Sequence, residues 1–172
     1  MPLSYNFWRN LNLFRHGNAD KVDYASKICS EYYKFYDGNH KRDESCETNV
    51  LEIGCGDSIN TGLYFTTRGI SRAGLVDKAD FAGTLMDGYR DFARKNGFLV
   101  ESNSFSELLR EFNVVYKTTG IDSLKTCSYS SIDFCFSHSV LQHFKFEEFE
   151  ELLESCGSSQ ICMRDTCFAK LR

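Results

Sequence analysis

The stretch NVLEIGCGDSINTG, residues 49–62, decides the predicted fold. Its first half, NVLEI, is a short apolar run of the kind that forms a buried strand, and the glycine-spaced turn GCG follows at once. Gly54 and Gly56 let the backbone turn sharply and pass close to a ligand, because neither position carries a side chain. A strand, a glycine turn and a helix in this order predict a nucleotide-binding turn.

Outward from this turn, the sequence alternates strands with helices. Predicted helices cover 18–39, 59–69, 80–97, 104–112 and 145–156, and predicted strands cover 49–55, 72–78, 113–119, 131–137 and 159–165. The alternation predicts an α/β fold, Rossmann-like and doubly wound, with a mostly parallel sheet of about five strands and helices on both faces. We expect one domain, with a helical extension over 1–45 and the core over 46–172.

Composition and charge exclude several classes of protein. The chain has 172 residues and a formal net charge of −4, so one domain without a basic, phosphate-binding face is expected. The first thirty residues hold no signal-peptide segment, and no run of about 18 apolar residues occurs. We therefore expect a cytoplasmic protein with no nucleic-acid or membrane partner. Eight cysteines without a C-x-x-C pair are expected to be reduced thiols, and no metal site is predicted.

The residues of the glycine turn distinguish between cofactors. A dinucleotide fingerprint would have a third glycine at position 59, where this chain has Ile59, so NAD is disfavoured. Glu52, two residues before Gly54, suits a cofactor whose methionine end carries an ammonium group. The sequence here resembles the class I S-adenosylmethionine-dependent methyltransferases, whose acid-x-Gly-x-Gly motif is matched by Glu52, Gly54 and Gly56. The resemblance implies S-adenosyl-L-methionine as cofactor.

Two further acids stand at the family's spacing. Asp77 ends the segment AGLVD, where a carboxylate can accept hydrogen bonds from both ribose hydroxyls, and a helix cap is the alternative role. By resemblance, Asp122 would accept the adenine amino group, with Ile121 and Ser123 beside the ring, and a simple turn residue is the alternative. The predicted cofactor site also includes Cys55, Lys78 and Ser137.

The segment SIDFCFSHSVLQHF, residues 131–144, resembles the fourth motif of the family. Its strand is predicted to end near Ser137, which places His138 on the sulfonium side of the cofactor. Methyl transfer depends mainly on alignment and on exclusion of water, but a hydroxyl acceptor also needs a general base. His138 is the predicted catalytic base, and a hydrogen-bonding role that only shapes the pocket is the alternative. His143 is expected to pack or cap.

A narrower resemblance concerns the acceptor. The segments VLEIGCGDS and LVD-x-x-DFA look like a group of bacterial-type methyltransferases, some of which are associated with saccharide modification. A small-molecule or saccharide hydroxyl is therefore the expected acceptor. The family normally ends in a β-hairpin, and we expect none after the fifth predicted strand. This expectation leaves three alternatives: a minimal active enzyme, a homodimer through the exposed sheet edge, or a remnant that binds the cofactor or a partner without turnover.

The aromatic-rich helix ahead of the glycine turn has two alternative roles. In the family such a helix often covers the cofactor as a lid, whereas a helix that packs on the sheet is the simpler interpretation, which we favour.

Overall fold

The computed structural model describes residues 21–39, 47–83, 86–120, 122–125, 132–138 and 160–164, with Val140, Lys145, Glu147 and Glu150. Its elements follow one another as α1 (Val22–Asn39), β1 (Asn49–Ile53), α2 (Asn60–Thr66), β2 (Arg72–Val76), α3 (Met86–Asn96), α4 (Phe105–Glu111), β3 (Val114–Lys117), α5 (Asp122–Lys125), β4 (Phe134–His138) and β5 (Gln160–Arg164). Within these ranges, no helix combines the length and apolarity needed to cross a membrane.

The strands form one parallel sheet, so the predicted α/β fold with a parallel sheet and helices is confirmed. The strand β1 lies in the middle, with β2 and β3 on one side and β4 on the other, and the backbone of β5 pairs with the outer edge of β4. In register, Ile53 stands between Val76 and Ser137. The carboxyl ends of β1, β2 and β4 therefore meet at one edge of the sheet.

Helix α3 begins at Met86, later than the predicted start at 80. Two tyrosine hydroxyls hold the preceding backbone in a non-helical path. The Tyr116 hydroxyl donates to the carbonyl of Ala79 at 3.2 Å and accepts from the Phe81 amide at 3.1 Å, and the Tyr89 hydroxyl donates to the Ala82 carbonyl at 2.8 Å. These bonds replace the ones that a helical turn would supply.

Other boundaries follow local signals. Helix α4 begins after Ser104, whose hydroxyl accepts from the Glu107 amide while the Glu107 carboxylate accepts from the Ser104 amide, a capping box. The short helix α5 was not predicted, because its four residues are too few to display a helical period. Most of the predicted helix over 145–156 lies outside the described residues.

Helix α1 packs on the sheet through aromatic side chains. The ring of Tyr32 lies 4.7 Å from that of Phe136, and Tyr36 lies 5.6 Å from Phe134. Phe65 of α2 stacks on Phe136 at 5.3 Å and on Phe134 at 6.3 Å, so the cluster joins both helices to β4. Helix packing, the simpler of the two interpretations of α1, is observed.

The first turns of α1 are also joined to α3. The Asn96 side-chain amide donates to the Ser26 hydroxyl at 2.9 Å, and the Lys95 ammonium pairs with the Asp23 carboxylate. The exposed ion pair contributes little stability, because solvent screens it. The position of this end of α1 therefore depends on these polar contacts, on buried side chains such as Ala25 and Ile28, and on the aromatic cluster further along the helix.

Replacing Phe65 with alanine should destabilise the protein by about 3–5 kcal/mol, because its fully buried ring fills the space between α1, α2 and β4. Urea unfolding followed by circular dichroism would measure the loss. Leu99→Ala is the matched control, since Leu99 is 77% exposed and its removal should change the free energy of unfolding by less than about 0.5 kcal/mol. Similar losses in both variants would contradict the packing described above.

Candidate functional site

The strand order reverses direction between β1 and β4. The chain moves outward from β1 to β2 and β3, and then returns to the other side of β1 with β4. In open α/β sheets a crevice forms at such a switch point, outside the carboxyl ends of the strands, and ligands bind there. The predicted residues at the end of β1 and at the end of β4 both lie at this place.

The glycine turn after β1 has the conformation that its sequence predicts. Gly54 and Gly56 have φ values of 79° and 64°, in the left-handed region that glycine adopts without steric cost. The Gly54 amide donates to the Val76 carbonyl at 2.8 Å, which extends the sheet by one bond. A Cβ atom added to Gly54 would lie 2.5 Å from the side chain of Val140, so close approach also requires glycine here.

Asp77 joins the loop after β2 to the glycine turn. Its Oδ2 accepts from the Gly56 amide at 2.8 Å, and its Oδ1 accepts from the Lys78 amide at 2.7 Å. No helix begins among residues 78–83, so the structure gives Asp77 this role and not that of a helix cap.

Glu52 lies beneath the turn as a buried carboxyl group. It accepts a hydrogen bond from the Thr61 hydroxyl at the start of α2. Burial raises the pKa of Glu52 to about 8, the Thr61 bond opposes this rise, and the negative charge of Asp77 adds to it. The carboxyl is therefore mostly protonated at pH 7.

Two buried cysteines lie near this acid. Burial raises the pKa of the Cys29 and Cys55 thiols well above their ordinary value, and the charge of Glu52 raises both further. Thiols with raised pKa are poor nucleophiles at neutral pH. The Cys55 side chain is buried in the core beside the glycine turn.

The loop after β3 is bonded to the loop after β2. The Gly120 amide donates to the Asp77 carbonyl at 2.8 Å, and the hydroxyls of Thr119 and Ser123 share a 2.7 Å bond. Asp122, the first residue of α5, is exposed, whereas Ser123 is buried. Lys78 is exposed beside them. Ile121 and its predicted contact lie outside the described residues.

At the end of β4, two side chains face different environments. The Ser137 hydroxyl is buried and has no hydrogen-bond partner in the part of the chain that the structure describes. His138 contacts helix α1, with Nε2 2.8 Å from the Tyr24 hydroxyl and Nδ1 3.4 Å from the Tyr32 hydroxyl. The predicted role of His143 concerns a residue outside the described ranges.

The sequence interpretation missed three residues that contact the site: Thr61, Tyr24 and Tyr32. Tyr24 and Tyr32 stand eight residues apart and so share one face of a helix, which was a usable signal. Thr61 lies in the first turn of the helix after the glycine turn, where side chains point back toward the strand. In the described ranges, no group of three histidine, cysteine, aspartate or glutamate side chains has the geometry of a metal site.

Comparisons with protein-family models, with curated proteins and with solved structures find no match to this chain. Its function is therefore argued from the site alone, because a fold by itself does not specify an activity. The site brings Glu52, Gly54, Gly56 and Asp77 together beside the end of β4.

Replacing Glu52 with glutamine should stabilise the protein increasingly as the pH rises. The folded-state pKa of about 8 lies above the unfolded value of 4.5, so the wild-type protein loses stability between those two values as the pH rises. Neutral glutamine can accept the same Thr61 bond and removes this dependence, with a difference on the order of 3 kcal/mol at pH 7.

Urea unfolding at pH 5, 6, 7 and 8 would measure the effect of Glu52→Gln. Glu101→Gln, at an exposed site, is the control and should change the free energy of unfolding by less than about 0.5 kcal/mol at every pH. A constant difference between Glu52→Gln and the wild-type protein across this range would show that Glu52 ionises normally.

Proposed function

We propose that this protein transfers a methyl group from S-adenosyl-L-methionine to a hydroxyl of a small molecule or saccharide. One observation supports the proposal most strongly. The glycine turn at the switch point is bonded through the Gly56 amide to the carboxylate that ends β2, and the buried acid Glu52 lies beneath it. This arrangement offers the Asp77 carboxylate to the ribose end of one ligand and an acid that can ionise, Glu52, to its ammonium end.

The donor and acceptor groups present fit that cofactor. Among the described residues no cationic side chain pairs with Glu52, and an ammonium group of the ligand would supply a counter-ion. The buried Ser137 hydroxyl lacks a partner within the same residues, and a polar ligand in the crevice would supply one. The Asp77 carboxylate ends β2 beside the glycine turn, and a carboxylate accepts hydrogen bonds from hydroxyl donors such as those of a ribose.

The adenine end of the cofactor would lie toward the loop after β3. We assign Asp122 to the adenine amino group, with Ile121 and Ser123 beside the ring and Lys78 at the rim. When bound, the cofactor would supply an electrophilic methyl group. The protein would position the acceptor, exclude water and take up a proton, which is the role assigned to His138.

We also propose that the parallel sheet belongs to a doubly wound, Rossmann-like fold of five strands, which would suit this function. The order 3-2-1-4-5 equals the first five positions of the doubly wound order. Side chains on both faces of the sheet are buried: Val50, Glu52, Leu75, Phe134 and Phe136 on one, and Leu51, Ile53, Val76, Cys135 and Ser137 on the other. Right-handed crossovers would place helices over both.

The second candidate function is binding of the cofactor, or of a partner protein, without turnover. Val140 favours it, because its side chain lies so close to Gly54 that the crevice is narrow beside the glycine turn. A cytoplasmic location, a single domain and a homodimer through the sheet edge remain predictions.

Asp77→Asn should weaken binding of S-adenosylhomocysteine by about 1–3 kcal/mol, because the ribose hydroxyls lose a charged acceptor. Isothermal titration calorimetry of the purified protein would measure it, with NAD as the control ligand. Asp87→Asn makes the same chemical change at an exposed helical site and should leave affinity unchanged. Equal affinity in all three proteins would exclude the ribose role, and tighter binding of NAD would exclude the proposed cofactor.

Binding of S-adenosylhomocysteine should also release protons. Glu52 is mostly protonated at pH 7 before binding, and a nearby ammonium group favours its charged form, so about one proton should leave for each ligand bound. Calorimetry at pH 7 in phosphate and in Tris, whose ionisation enthalpies differ, would count it. Glu52→Gln should bind with no such difference, and a wild-type protein that also releases none would place the ammonium group elsewhere.

A further inference from the structure

The ring of His138 is contacted by two tyrosines of helix α1. Tyr24 and Tyr32 stand eight residues apart on one face of the helix, and both hydroxyls reach the imidazole. The distances are 2.8 Å from the Tyr24 hydroxyl to Nε2 and 3.4 Å from the Tyr32 hydroxyl to Nδ1. The two ring nitrogens therefore have different neighbours, and these decide which nitrogen carries the proton.

The bond network assigns the tautomer of His138. The Tyr32 hydroxyl donates its only proton to the Ser137 carbonyl at 3.0 Å, so toward Nδ1 it can act only as an acceptor. In the neutral ring Nδ1 then carries the hydrogen, and Nε2 presents a lone pair. The Tyr24 hydroxyl donates to that lone pair.

Tyr24 is the outer member of this pair. It is 36% exposed, whereas His138 is half-buried, and their rings meet edge to face with centroids 6.1 Å apart. His138 follows Ser137, which pairs with Ile53, so it stands at the level of Gly54 beside the switch point. Tyr24 is therefore the more solvent-accessible of the two hydrogen-bonded residues.

We propose that Tyr24 and His138 form a proton relay in which the Tyr24 hydroxyl contacts the acceptor of the methyl group. The relay rests on the proposed methyl transfer. As the acceptor oxygen bonds to the methyl carbon, the carbon–sulfur bond breaks and its electron pair stays on sulfur. The acceptor proton passes to the Tyr24 oxygen while the proton of Tyr24 passes to His138 Nε2. The imidazolium then releases the Nε2 proton to water.

The hydrogen-bonded pair can be tested without knowledge of the acceptor. In the full chain labelled with ¹⁵N-histidine, the His138 side chain should give the nitrogen spectrum of the Nδ1–H tautomer. Tyr24→Phe should shift the Nε2 resonance and increase the share of the other tautomer. Tyr33→Phe is the matched control: Tyr33 lies on the same helix, but its hydroxyl donates to the Arg68 carbonyl, so the His138 spectrum should not change.

The relay itself is tested by turnover. Methyl transfer from S-adenosylmethionine would be measured on a panel of monosaccharides and catechol, by release of S-adenosylhomocysteine. Tyr24→Phe and His138→Ala should each lower kcat about 100-fold, the double variant should lose little more, and the KM for S-adenosylmethionine should change less than about threefold. Tyr33→Phe should keep the wild-type kcat.

Three results would overturn the relay, and they differ from one another. If Tyr24→Phe has the wild-type His138 spectrum or the wild-type kcat, Tyr24 takes no part in the relay, and the proposed methyl transfer is unaffected. If the wild-type protein binds S-adenosylhomocysteine but methylates no member of the panel, both methyl transfer and the relay are contradicted, and cofactor binding alone is supported. A wild-type protein that binds no S-adenosylhomocysteine removes the proposed function, even where the spectrum shows the Tyr24 bond.

Discussion

The hydrogen bond from the Gly56 amide to the Asp77 carboxylate is the interaction on which the arrangement of the site depends. It joins the loop after the central strand to the loop after its neighbour, and the same residue continues the connection because its carbonyl accepts from the Gly120 amide. Three loops from three parallel strands are thereby held together by one aspartate. A charged acceptor makes such bonds shorter and stronger than neutral ones, which suits a position that must stay fixed when a ligand enters.

The electrostatics of the site depend on two acids that lie close together. Glu52 and Asp77 are both acids, both buried, and close enough for the charge of one to raise the pKa of the other. The two acids differ in their surroundings. The Asp77 carboxylate accepts from backbone amides, whereas Glu52 is mostly protonated at pH 7 and accepts from the Thr61 hydroxyl. Burial makes the charged form of Glu52 unfavourable. A cation that approaches Glu52 would favour ionisation, because the buried carboxylate would then be paired.

The features that depend on neighbouring residues in the chain could be predicted from the sequence. The strand over NVLEI, the glycine turn and the acid that ends β2 were all predicted, because apolar runs, glycine spacing and chain direction determine them. The predicted start of α3 was wrong by several residues, because the hydroxyl of Tyr116, a residue distant in sequence, forms hydrogen bonds with the backbone that precedes the helix. The contacts of Thr61 and Tyr24 were missed for the same reason: each depends on how two elements pack.

Helix α1 has two unequal ends. Its later turns belong to the aromatic core through Tyr32 and Tyr36. Its first turn packs on the core through the smaller side chains of Val22 and Ala25, and an exposed ion pair and a hydrogen bond from the Asn96 side-chain amide join this end to α3. The ends of helices fray at a free energy far below that of global unfolding. Fraying of the first turn would thus separate Tyr24 from His138 in a protein that remains folded, so the geometry around the imidazole is governed by local stability and not by the stability of the sheet.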